Sequence, residues 1–383
     1  MNGFSFYMPT KIVFEENVLT QVADYAKGYG IKGLLITDKM MMETDIVKTV
    51  VASLDEADVD YMVWSDIVPN PRDVDIEKGA AFAIANKIDY LIAVGGGSAI
   101  DTAKAMGAIM TNGGTCADLY GDKLKKPIAP LIAIPTTCGT GSEVTHESIV
   151  NNTVTLVKDC IWGPNNSVSL ALLDPSVLEK LPPHIMGSTG MDALTHAVEA
   201  YVGKAANPLT DALALTAIRM IGKSLIPGVE KKEKADLENM LVASCMAGAA
   251  FGNSDVASVH SIAEALGGYY DIPHGVANAM MLPEVSRLSV PGAPQKYADV
   301  AEALGVDITD MTVEEAAYAG VEYMQKMAEL LKIPTFGSLE CVDPKDFDRL
   351  AKTAAEAPET ADNPVMMYQE DFKALFERLY AQG

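Results

Sequence analysis

The sequence predicts an α/β domain built on a doubly wound parallel sheet (residues 1–182), followed by an all-helical domain (183–383). Three observations carry this. Short β-branched runs alternate with helical patterns through the first half, the pattern of strand–helix–strand crossovers. Strand-like runs nearly vanish after "LLDPSVLEKLPP" (172–183), where Ala-, Leu- and Met-rich segments take over. The prolines at 182 and 183 suit a boundary. With 383 residues, 49% of them hydrophobic and 21% charged, the chain can bury two or three cores.

In order, "GLLITDK" (33–39), "DYMVWS" (60–65), "YLIAVGGG" (90–97) and "LIAIPTT" (131–137) read as strands. The first, third and fourth have nearly continuous apolar cores, as strands covered on both faces do. "DIEKGAAFAIANK" (75–87) and "SAIDTAKAMGAIM" (98–110) read as helices between them. The second half reads as helices over 191–203, 209–225, 235–251, 255–267, 275–289, 295–304, 313–332, 345–356 and 369–380. A ligand cleft is expected between the two domains, a favoured place for one.

The net charge of −23 disfavours nucleic acid and anionic membranes as partners. The cysteines at 116, 138, 160, 245 and 341 are scattered, with no CxxC. They predict reduced thiols in a cytoplasmic protein and no disulfide frame. "MNGFSFYMPTKIVFEENV" lacks the basic start and apolar core of a signal peptide, and no uninterrupted apolar run reaches membrane-spanning length.

Four stretches carry candidate chemistry. "YLIAVGGGSAIDTAKA" runs a strand through Gly95, Gly96 and Gly97 into a helix opened by Ser98. Free N–H groups and the dipole at that helix start suit an anion such as a pyrophosphate, although a plain capped turn has the same look. Asp38 ends a strand. It reads either as a cap or as the acceptor for an adenosine ribose, which would favour NAD over NADP. "PTTCGTGSEVTHES" (135–148) offers Thr136, Thr137, Thr140 and Ser142 as donors, or is a Ser/Thr-stabilised loop. "MDALTHAVEAY" (191–201) sets Asp192 and His196 one helical turn apart, in a polar stripe with Thr195 and Glu199. That pair is either a surface contact or half of a metal site. His260 in "VHSIAEALGG" and His274 in "YYDIPHGVANAMMLP" complete a possible set of one carboxylate and three imidazoles. Such donors suit Fe²⁺ or Zn²⁺, and the lack of thiolate argues against a structural zinc.

"GGGSAIDTAK", "PTTCGTGSEVT", "GMDALTHAVEAYV" and "IPHGVANAMMLP" resemble, in order and over most of the chain, the signatures of the iron-containing (group III) alcohol dehydrogenases. The resemblance implies a dinucleotide domain, a helical metal domain and reversible oxidation of small alcohols with NAD(H). It implies a divalent metal, Fe²⁺ in first place and Zn²⁺ second, held by Asp192, His196, His260 and His274. Gly95, Gly96, Gly97 and Ser98 match the pyrophosphate loop, and Asp38 the ribose acid. Asn70, Thr136, Thr137 and Thr140 match further cofactor positions, and Lys158 a lysine near the cofactor ribose. Phe251 matches a position lining the substrate pocket, to which Cys138 is also assigned, as a small apolar filler rather than a nucleophile. The implied chemistry is activation of the alcohol by the metal and hydride transfer to the nicotinamide. Homo-oligomers, dimeric or larger, are implied as well.

The chain departs from the family pattern at Glu264. Many members carry a second histidine there, four residues after the third ligand. Glu264 is therefore assigned a catalytic place, as a proton relay or as a partner that orients a ligand histidine; His274 enters as ligand and active-site group. Ser254, Asp255 and Ser258 are more polar than usual, which favours a substrate with a second polar group. Cys138 replaces a common alanine, and "VASVH" replaces the familiar "GLxxH". His146 and His184 read as a loop and a linker histidine. A dehydroquinate synthase-like lyase or cyclase, and a non-catalytic NAD- or metal-binding sensor, are the rival readings.

Overall fold

A computed structural model describes residues 3–68, 70–155 and 157–382. The chain forms two compact units. One is Tyr7–Leu181; the other joins Met1–Phe6 to Pro182–Gly383.

The Tyr7–Leu181 unit holds the strands β1 (Lys11–Phe14), β2 (Lys32–Ile36), β3 (Asp60–Trp64), β4 (Tyr90–Gly95), β5 (Leu131–Pro135), β6 (Glu147–Asn151), β7 (Lys158–Trp162) and β8 (Leu170–Leu173). Six form one sheet in the order β1-β8-β5-β4-β2-β3, with every neighbouring pair parallel. Its helices are α1 (Val22–Ala26), α2 (Asp45–Glu56), α3 (Asp73–Ala85), α4 (Gly97–Asn112) and α5 (Cys116–Leu119). The doubly wound parallel sheet is as the sequence predicts. β4 and β5 are buried at every residue, which accounts for their unbroken apolar runs.

From β2 the chain steps outward to β3. From β4 it runs the other way, through β5 to β8. The carboxyl ends of β2 and β4 therefore flank the point where strand order reverses, the usual ligand position in open α/β sheets.

Four strands escaped the sequence reading. β1 and β8 are four-residue segments placed by pairing with each other. The β6–β7 hairpin has mixed polar patterning, because most of it is not fully buried. β2, β4 and β5 also end two or three residues before their apolar-plus-turn runs do, where the chain leaves the sheet for the loops that matter below.

The second unit is built of α6 (Pro183–Val202), α7 (Pro208–Glu230), α8 (Lys234–Phe251), α9 (Ser258–Tyr270), α10 (His274–Ser289), α11 (Pro294–Ala303), α12 (Val313–Leu330), α13 (Phe347–Glu356) and α14 (Gln369–Ala381). α6 is its axis, packed by α7, α8 and α10 and buried without interruption from Gly190 to Val202. α7 is long and apolar enough to cross a membrane by length and composition, yet it packs on α6 and α8 as a core helix does. It starts at a strong signal: Asn207 Oδ1 accepts the Leu209 and Thr210 N–H groups, and Pro208 follows. α9 begins at Ser258 rather than at 255, because Asp255 takes φ 101° and Ala257 is extended. A short 3-10 turn, Pro358–Asp362, lies on α9 and is tied to it by the Thr360 hydroxyl, which donates to Ser261 Oγ at 2.7 Å.

Candidate metal centre and cofactor loops

The polar stripe of α6 is not a solvated face. Asp192, Thr195, His196 and Glu199 are all buried. Burying a carboxylate and an imidazole needs partners, and the neighbouring helices supply them. His260 comes from the first turn of α9, and His274 opens α10. Gly275 lets α10 close on α6: a Cβ there would lie 3.1 Å from the Ser188 carbonyl and 3.4 Å from Asp192 Cβ. One ligand atom from each of Asp192, His196, His260 and His274 lies within 4.8 Å of all the others. Four ligands about 2.0–2.2 Å from one ion stand about 3.4 Å apart, so a small inward movement completes a coordination shell.

The hydrogen bonding marks the point of convergence. Asn278, one turn after His274, places its amide nitrogen 2.7 Å from Asp192 Oδ1, 3.0 Å from His260 Nε2 and 3.1 Å from His274 Nε2. An amide has two hydrogens for these three acceptors. A carboxylate oxygen and two imidazole nitrogens turned toward one amide are the donor types of a cation site, and the residues fit a divalent metal. His274 keeps 30% of its side chain exposed while Asp192 keeps 2%, so the centre is reached from the His274 side.

Glu199 orients the third ligand. Its Oε2 lies 2.5 Å from His260 Nδ1, and its Oε1 accepts the Val259 N–H at 2.7 Å. Holding the proton on Nδ1 leaves the Nε2 lone pair for the centre. Burial pushes the Glu199 carboxyl up to about 7, against backbone N–H groups that pull it down. Phe251, the last residue of α8, stacks on His196 with ring centroids 4.3 Å apart, placing an apolar wall beside the centre. Glu264 is half-buried on α9, one turn past His260.

In the other unit, the two glycine- and threonine-containing loops meet. The Thr136 N–H donates to Gly95 O at 3.0 Å. A Cβ on Gly97 would lie 2.8 Å from Thr140 Cγ2, and one on Gly96 3.4 Å from Thr137 Cγ2. Ser98 follows in the first turn of α4. Thr37, at the end of β2, donates to Val94 O at 2.8 Å and so draws Asp38 toward the glycine loop. Asp38 Oδ1 accepts the Met40 and Met41 N–H groups, each at 2.8 Å, so the capping reading is realised in the structure. Asn70 takes a positive φ of 54° beside Pro71, whose carbonyl accepts the Asn151 N–H. Asn151 faces Lys158 across the hairpin. Cys138 is fully buried, as a filler is.

Beneath these loops lies a network the sequence reading did not single out. The buried Lys104 of α4 donates to Ser142 Oγ, Thr145 Oγ1 and Glu147 O. Asp101 accepts from the Ser142 hydroxyl and the Ile149 N–H. The "DTAK" of α4 thus ties down the "GTGSEVT" loop. Burial pulls the Lys104 pKa down, and the Asp101 charge opposes it. Asn278 and Glu199 also went unassigned. Their signal was helical spacing from a ligand: four after His274 and three after His196. His146 lies 3.5 Å from Glu147, as a partnered loop histidine does. His184 is exposed in the first turn of α6 rather than in a linker.

Comparison with known proteins bears on the whole chain. Residues 9–175 match the family described as iron-containing alcohol dehydrogenase, and residues 186–380 match the Fe-containing alcohol dehydrogenase family, C-terminal. A 1,3-propanediol dehydrogenase of Klebsiella pneumoniae is 35% identical over 382 residues, covering 98% of this chain and 99% of that one. A crystal structure of a 1,3-propanediol oxidoreductase superposes with a TM-score of 0.96 at 35% identity, covering 99% of this chain and 100% of that one. Sulfoacetaldehyde reductase from Bifidobacterium kashiwanohense, solved with NAD⁺, gives a TM-score of 0.89 at 26% identity, with 100% of both chains covered. The chain belongs to the iron-containing alcohol dehydrogenase family, whose two models it matches over residues 9–175 and 186–380.

Proposed function

We propose that Asp192, His196, His260 and His274 hold one divalent ion, Fe²⁺ in first place and Zn²⁺ as the alternative, in an NAD(H)-linked alcohol dehydrogenase that also runs as an aldehyde reductase. The convergence of one carboxylate and three imidazoles on a single buried point carries this reading. The bound groups supply Lewis acidity toward the substrate oxygen and the nicotinamide hydride carrier.

The protein's own residues prepare that chemistry. Glu199 sets the tautomer of His260. Without the ion, the Asn278 amide lies against Asp192 Oδ1 and the Nε2 atoms of His260 and His274, and it would give those positions up when an ion binds there. Phe251 walls the His196 side against water. Gly95, Gly96, Gly97 and Ser98 take the pyrophosphate at the α4 N-terminus. Thr136, Thr137, Thr140, Asn70 and Lys158 contact the rest of the cofactor, and Asp38 selects NAD. The meeting of the glycine and threonine loops with the end of β2 at the strand-order reversal supports the assignment of Gly95, Gly96, Gly97, Ser98, Thr136, Thr137, Thr140 and Asp38. Glu264 exchanges the alcohol proton or orients a ligand histidine, and its place one turn from His260 serves either role. Substrates are small primary alcohols and functionalised aldehydes. The charges that bear on the neighbouring Glu359 are those of carboxylates, which does not suit the phosphorylated substrate of a cyclase. We also propose a homo-oligomer of two or more chains in the cytoplasm, where five cysteines outside any disulfide are at home.

The test is chelation followed by reconstitution with Fe²⁺ or Zn²⁺, then an aldehyde panel with NADH and NADPH. One metal per chain, with turnover that returns with it, is the expected result. Asp192→Ala should lose the bound metal and roughly 10³-fold of kcat/KM, the scale of several kcal/mol of charge stabilisation. Full metal content in that variant would overturn the ligand assignment.

A further inference from the structure

The helical unit gathers carboxylates around Glu359, a residue to which the reaction as described gives no part. Glu359 sits in the Pro358–Asp362 turn, nine-tenths buried, and its Oε1 has no hydrogen-bond partner. The Thr360–Ser261 bond holds that turn against α9, the helix that carries His260 and Glu264. Charges reach Glu359 from each side: Glu264 of α9, Asp255 of the turn before α9, and Glu199 of α6. On α13, the other helix against this turn, Lys352 pairs with Glu356 in solvent. Asp362 closes the same turn. Its Oδ1 accepts the Ala205 N–H, and its Oδ2 is buried without a partner. Lys204 reaches the same turn, donating to the Ala361 carbonyl at 3.0 Å, and its charge bears on Asp362, whereas the charges that bear on Glu359 are those of carboxylates. Burial and the Glu264 charge accordingly push its carboxyl up to about 8.

Like charges collected in a partly dry site are costly unless something positive joins them. The gathering also borders the metal centre. Glu199 bridges the two, holding His260 Nδ1 while its charge bears on Glu359. Asp255 donates its N–H to the carbonyl of Phe251, whose ring covers His196.

From the buried, partnerless oxygen of Glu359 and its carboxylate neighbours beside the metal centre, we infer that this enzyme prefers alcohols and aldehydes bearing an ammonium group. This deepens the proposed dehydrogenase function and rests on it. The hydroxyl goes to the Asp192–His196–His260–His274 centre, and the cation to Glu359, Glu264 and Asp255. Side chains one helical turn apart are roughly 5–6 Å from each other at Cβ, so His260 and Glu264 suit a substrate whose oxygen and nitrogen are about two or three carbons apart. An anionic substrate group would be repelled from the same place.

The experiment compares matched pairs on metal-reconstituted enzyme with NAD⁺: a trimethylammonium ethanol against its carbon isostere, and a primary amino alcohol against the unsubstituted alcohol of equal length. The cationic member should win in kcat/KM by about tenfold or more, the discrimination of one desolvated ion pair. Glu359→Gln should bring that ratio toward one. Glu356→Gln, which removes an equal charge from the exposed face of α13, should leave the ratio intact. Tetramethylammonium at fixed ionic strength should raise the thermal midpoint of the wild type and not of Glu359→Gln. A neutral member that matches or beats its cationic partner refutes the inference while leaving the dehydrogenase in place. A second metal ion per chain that is lost in Glu359→Gln also refutes it. If neither member of any pair turns over, both the inference and the function beneath it fail.

Discussion

Replacing Glu199 tests how the centre is held, because this residue is buried and touches a ligand from behind. Both carboxylate oxygens act as acceptors: Oε2 for His260 Nδ1 at 2.5 Å, Oε1 for the Val259 N–H at 2.7 Å. Glutamine keeps the shape but has one acceptor. Whichever way the amide turns, its NH₂ meets an N–H. If the Val259 bond is kept, His260 loses its acceptor and can move its proton to Nε2, where the lone pair is needed. The bond at stake is charge-assisted, worth about 1.5–3 kcal/mol. Lost from the metal-bound state, that is roughly 10–100-fold in metal affinity, the range found for removing the outer partner of a ligating histidine. Glu199→Ala should match this loss and also destabilise the metal-free protein by about 2 kcal/mol, through the cavity and an orphaned N–H. Competition between the protein and a chelator for Zn²⁺, repeated anaerobically with Fe²⁺, measures the first effect, and thermal unfolding the second. Wild-type metal affinity within twofold in Glu199→Gln would refute the role assigned to Glu199.

Asp38→Asn keeps an oxygen for the Met40 and Met41 N–H groups but drops the charge. It should therefore raise kcat/KM for NADPH about tenfold at unchanged Tm, whereas Asp38→Ala should also lower Tm. No change in cofactor preference in either variant would remove Asp38 from cofactor selection. Glu359→Gln should stabilise the protein above neutral pH. The folded-state pKa of Glu359 is raised from 4.5 to about 8, so the stability of its protonated form is complete below the ordinary value and is lost as pH rises through about 8. The cost reaches roughly 3 kcal/mol near pH 7 as an upper bound. Thermal melts of the two proteins should coincide at about pH 4.5 and differ by about 5 °C at about pH 8, with the variant higher. A gap that shrinks as pH rises would contradict the picture of mutual repulsion.

The sequence by itself determined the class of fold and the order of its parts. Period and composition report local burial, and β4, β5 and α6 are buried so completely that their patterns could hardly mislead. It also offered Asp192, His196, His260 and His274 as a possible metal set, which the family resemblance then singled out, since only the Asp192–His196 pair is tied by spacing. The tertiary structure decided that those donors meet. Whether the α6 stripe faced water or a buried cluster of donors depended on α9 and α10 packing over it, and no spacing within "MDALTHAVEAY" records that. The four-residue strand β8 is set between β1 and β5, and among the described residues β1 pairs with it alone, a contact 159 residues apart at Lys11 and Leu170. Glu199, Asn278 and Lys104 look like surface polar residues until their partners arrive from other segments. Glu359 stands nearly a hundred residues from Glu264, and only the turn held on α9 makes the two carboxyls neighbours. Helix and strand periodicity is set by the chain's own few neighbouring residues. Convergence, burial of charge and the cost of leaving it unpaired are set by contacts between segments far apart in the chain.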